Sequence, residues 1–110
     1  MSKINSDIEV TIASSGTVST SADLDGLALV GIHMPATFTG TALTFSIDNG
    51  EGVFNVMADG AGADVSKTVA ASKFINLPPS DFAGINKIKL ISGTTETGER
   101  VIRLVVRDIT

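Results

Sequence analysis

Residues 100–109 read RVIRLVVRDI. A strand sends successive side chains to opposite faces, whereas a helix spreads them around a cylinder. On a strand, Ile102, Leu104 and Val106 share one face, flanked by Arg100 and Asp108, while Val101, Arg103, Val105 and Arg107 share the other. A helix would scatter the same residues around its circumference. The segment therefore predicts a strand with an apolar inner face. Its outer face is itself half apolar, which makes Val101, Arg103, Val105 and Arg107 candidates for contact with another chain.

The same design recurs elsewhere in the chain. NKIKLIS (86–92) alternates Ile88 and Leu90 with Lys87 and Lys89. TALTFSIDNGEGVFNVMADG (41–60) reads as an antiparallel hairpin: Leu43, Phe45 and Ile47 alternate with Thr44 and Ser46, Asp48-Asn49-Gly50 supplies turn residues, and Val53 to Met57 returns. LALVGIH (27–33) is nearly continuous apolar sequence with a glycine inside, as expected of a central strand covered on both faces. DIEVTIA (7–13) places Ile8, Val10 and Ile12 in alternation, and GTVSTS (16–21) follows. Further strands are expected at 65–71 and 73–77, because Gly, Ser, Thr and β-branched residues there disfavour a long helix. PPSDFAG (78–84) can hold one short helical turn, begun by Pro79 or Ser80 and ended by Gly84. The prediction is an all-β, single-domain antiparallel β-sandwich or jelly roll of about eight strands spanning residues 1–110. Residues 1–6 are polar enough to form a free arm, and Ser2 and Lys3 could order against a neighbour.

Composition excludes several function classes. The chain has 110 residues, 43% hydrophobic and 18% charged, which suits one folded domain rather than a disordered one. A net charge of −4 argues against nucleic acid as a partner, since phosphate affinity comes from clustered Lys and Arg. No apolar run approaches the length of a membrane span, and MSKINSDIEV does not read as a secretory signal, so a soluble product is expected. With no cysteine there is no disulfide and no thiolate chemistry. Trp and Tyr are absent too, which counts against a sugar-binding cleft.

Candidate chemistry is sparse. His33, in GIHMPATFTG (31–40), is the single histidine, and without an assignable nucleophile or acidic partner it reads as a strand-end residue. Pro35 then ends the strand's hydrogen bonding. DNGEG (48–52) and DGAGAD (59–64) set carboxylates beside glycines, but neither matches the spacing of a calcium loop, and turn chemistry accounts for both. The serines of SSG (14–16) and SGT (92–94) lack the G-x-S-x-G elbow, and no phosphate-binding glycine motif occurs. The residues indicate no catalytic group, no metal site and no cofactor, hence a protein that is not an enzyme.

Taken together, SGT near the start, VGIHMPA, LTFSIDNGEG, LPPSDFAG and IKLISGT, with RLVVRDI at the close, resemble a family of small structural proteins of tailed bacteriophages. The resemblance covers residues 15–108 and carries fold-maintaining residues only. GTTETGER (93–100) departs from it, being shorter and more charged than the resemblance implies. The resemblance implies a β-sandwich virion component made in the host bacterial cytoplasm and placed on the capsid exterior. There it would act as a decoration, or cement, protein on the phage major capsid protein. A tail or head-fibre adaptor contacting the host surface or other virion proteins is the alternative. A homo-oligomer is expected; trimers are common among decoration proteins, but the residues leave one, two or three copies open.

Overall fold

In a computed structural model, residues 5–107 are described apart from 25, 51 and 83. The RVIRLVVR strand, β9 (Arg100–Arg107), lies inside a sheet rather than at its margin. It pairs antiparallel with β1 (Asn5–Ile12) on one side and β3 (Ala28–His33) on the other. The outermost strand beyond β3 is β7 (Phe74–Asn76), giving the order β1-β9-β3-β7. The second sheet has the order β2-β8-β4-β5, from β2 (Ala22–Asp23), β8 (Lys87–Ser92), β4 (Ala42–Asp48) and β5 (Asn55–Val56). β6 (Lys67–Thr68) also pairs with β4. Every pairing among the described residues is antiparallel, and the alternation of strands between the two sheets is that of a jelly roll.

The alternation in each long strand fills the space between the sheets. Ile102, Leu104 and Val106 are fully buried, as are Val10, Ile12, Leu29 and Ile32 from the same sheet and Leu43, Phe45, Ile88 and Leu90 from the other. Burying a side chain of this size stabilises by about 1.5–3 kcal/mol, so these rows hold the sheets together. PPSDFAG does form a helical turn, a 3-10 turn over Pro79–Asp81. Its effect is to deliver Phe82 into the core, where the ring meets Phe45 edge-to-face with centroids 5.0 Å apart.

Several boundaries differ from expectation. The two strands predicted at 65–71 and 73–77 shrink to β6 and β7, and the return of the 41–60 hairpin is confined to Asn55–Val56. GTVSTS forms isolated bridges, Ile12 with Ser19 and Val18 with Ile91, as the chain crosses from one sheet to the other. Of the arm expected over residues 1–6, residues 1–4 lie outside the described residues. Asn5 and Ser6 already belong to β1, paired with Arg107 and Val106, because β9 runs far enough to offer them partners. Ser2 and Lys3 lie outside the described residues, as does Asp108.

Candidate interaction surface

The outer face of the β1-β9-β3-β7 sheet is built from residues that point away from the core. Strand register arranges them in rows across the sheet. Glu9, Arg103, His33 and Phe74 form one row; Asp7, Val105, Gly31 and Asn76 form the next. Val101 lies beside Thr11 on the same face. Phe74 is 49% exposed and Val101 43%, so an aromatic ring and a branched aliphatic side chain meet solvent on a face that also carries arginine. Aromatic and arginine side chains are the types enriched where proteins meet.

Of the four β9 residues predicted to form this surface, Val101 and Arg103 are exposed, Arg107 is partly covered, and Val105 is not exposed. Val105 is only 6% exposed despite pointing outward. The burial of Val105 has a local cause. Val105 sits within an interior strand opposite Gly31, and the Phe74 ring closes over Gly31 so tightly that a Cβ there would lie 2.1 Å from the ring's Cζ. The glycine inside the apolar run of β3 thus marks the close approach of a side chain. Phe74 and Gly31 are the residues of this surface that sequence reading missed.

His33 joins the same cluster. Its imidazole packs against Phe74 with ring centroids 4.7 Å apart, at the end of β3. Arg103 makes an ion pair with Asp7 at 3.3 Å, both groups about half exposed. An exposed pair of this kind adds little stability but orients charge across the face.

The acidic turns are closed on themselves. Asp48 Oδ1 accepts from the amides of Gly50 and Gly52 at 2.9 and 3.1 Å, and Asp59 Oδ1 accepts from Ala61 and Ala63 at 2.8 and 3.1 Å. Gly50 and Gly52 have positive φ, which their lack of a side chain permits. A shallow depression beside Met57 and Ala58 is lined by Asp59, Asp64, Lys67 and Asp81, and a Lys67–Asp81 ion pair of 3.1 Å lies at its rim. The second sheet's outer face holds Lys89 4.4 Å from the Phe54 ring centroid, with Val18 and Val56 exposed beside it.

The framework has a solved counterpart. It is similar to the crystal structure of SPBc2 prophage-derived protein YomS, with a TM-score of 0.61 over 98% of each chain at 13% identity. At that identity the likeness shows a common fold. No family model and no curated protein matches the chain. No helix among the described residues is long and apolar enough to cross a membrane.

Proposed function

We propose that the chain is a non-enzymatic structural protein of a bacteriophage virion that decorates the outside of the head. In this reading it binds the major capsid protein and reinforces contacts between neighbouring coat subunits. The observation that carries it is the jelly-roll framework shared over 98% of both chains with a prophage-derived protein. The sequence resemblance to small phage structural proteins points the same way. The exposed Phe74 and Val101 beside Arg103 supply a surface suited to a protein partner. Several modest contacts to coat subunits made together bind far more tightly than each alone, and in this reading a homo-oligomer would multiply them.

The test is fractionation of purified particles into heads and tails, followed by mass spectrometry. The chain is expected in the head fraction. Its confinement to tails would favour an adaptor at the tail or a fibre, and its absence from particles would end the virion reading.

A further inference from the structure

The free edge of β1 offers backbone groups for which the fold supplies no partner strand among the described residues. In an antiparallel strand, the N–H and C=O of one residue point to the same side, and those of the next residue to the opposite side. Thr11 shows which side is which. Its carbonyl accepts from the Thr20 N–H at 2.9 Å, and its N–H donates to Thr20 Oγ1 at 3.0 Å. Both therefore point away from β9. Two and four residues earlier, Glu9 and Asp7 turn their N–H and C=O the same way, beyond the reach of the Thr20 cap. Their side chains are exposed on the outer face, whereas Ile8 between them points inward and is only half-buried. Val10 and Ile12, further along, are fully buried. The inner face is thus incompletely covered at the same place where the backbone is open.

We propose that the β1 edge receives one extended segment of a partner protein, with lysine or arginine opposite Asp7 and Glu9 and an apolar residue between them. Main-chain hydrogen bonds would extend the β1-β9-β3-β7 sheet by one strand. Charge selects the occupant. A second copy of β1, laid antiparallel in the centred registers, would set Asp7 against Asp7, Asp7 against Glu9, or Glu9 against Glu9. Like charges directly opposite one another destabilise a strand pair. Arg103 is ion-paired with Asp7 and lies opposite Glu9 in register, so one arginine is shared between two carboxylates, while the Arg107 guanidinium donates to the Val106 carbonyl; the described side chains of β1 itself carry two carboxylates and no cation. The apolar residue of the incoming strand would complete the cover over Ile8. Acidic side chains alone could simply block edge pairing; the half-covered isoleucine favours an occupant.

The experiment uses the full chain and acetylated Lys-Val-Lys-Val-Lys, with Glu-Val-Glu-Val-Glu and a scrambled lysine peptide as controls. Amide hydrogen exchange is read residue by residue. The lysine peptide should slow exchange at Asp7 and Glu9 about tenfold at millimolar concentration, while the controls leave it unchanged. Glu9→Pro removes an edge-facing N–H without touching the β1–β9 ladder and should abolish the effect at Asp7. Should that variant unfold, the pair Asp7→Lys and Glu9→Lys, introduced together, should transfer the preference to the glutamate peptide. Equal protection by both peptides, no protection at all, or protection that survives these substitutions would overturn the proposal.

Discussion

Glu96 and Arg100, four residues apart across a surface loop, meet inside the protein, with Arg100 Nε 2.8 Å from Glu96 Oε1. The Glu96 side chain has no exposure to solvent. Its carboxylate also accepts from the amides of Thr39 and Gly40 at 2.9 and 3.1 Å and from Ser92 Oγ at 3.0 Å. The Arg100 guanidinium reaches Thr39 Oγ1 and Thr97 Oγ1 as well. The Glu96 backbone exchanges hydrogen bonds with Ser15 and Gly16. Three loops are thereby tied together at one end of the sandwich, and the charged stretch GTTETGER owes its shape to this clamp.

Removing one partner leaves the other charge buried without compensation. Glu96→Ala should therefore lower the unfolding free energy by about 3–5 kcal/mol, read from urea denaturation. Replacing Glu96 and Arg100 together with apolar residues of similar volume should cost much less, since both charges are then gone.

The same carboxylate predicts an acid response. Burial alone pushes the Glu96 carboxyl up, but the Thr39 amide, Arg100, Ser92 and the Gly40 amide outweigh it and hold it below its ordinary value of 4.5. A folded-state value below the unfolded one contributes stability that is present above the unfolded value and lost as pH falls through the folded one. Wild-type protein should lose stability below about pH 4.5, and the loss should be shallower in Glu96→Gln. Urea midpoints measured across the acid range check this.

The approach of Phe74 to Gly31 predicts non-additive effects. Gly31→Ala should displace the ring outward and cost about 1 kcal/mol, at the low end for overpacking because the half-exposed ring can swing away. With Phe74→Ala already present, the same change should be neutral or slightly stabilising, as alanine is less costly than glycine in a strand. Loss of the ring-current shift on the His33 protons reports the displacement directly.

In the core, Phe45→Ala should cost about 3–5 kcal/mol in thermal or urea unfolding. Phe82→Ala should cost a similar amount, and the double substitution less than the sum, because the two rings share one contact.

Strands with a strict two-residue period were legible from the sequence because the period itself records which side faces the core. Ile102, Leu104 and Val106, or Ile88 and Leu90, needed no knowledge of their partners. The turns at Asp48 and Asp59 were legible for the same local reason, since an aspartate hydrogen-bonds amides two and four residues on. Cross-strand effects were not. Val105 looks like a solvent-exposed valine until Gly31 and Phe74, from two other strands, close beside it. Glu96 and Arg100 look like solvated charges, and only the folding of the 37–40 segment against the 93–99 loop turns them inward. The glycine within LALVGIH was the one local mark of the Phe74 approach. β5, β6 and β7 were too short for a period to define their ends.

An electron-density map of the intact phage particle tests most directly whether the chain works by gripping neighbouring shell subunits through its sheet surfaces. Jelly-roll density is expected on the head exterior, with the face bearing Phe74, Val101 and Arg103 or the β1 edge turned toward coat subunits. Heads bare of that density, or density found at the tail, would contradict it.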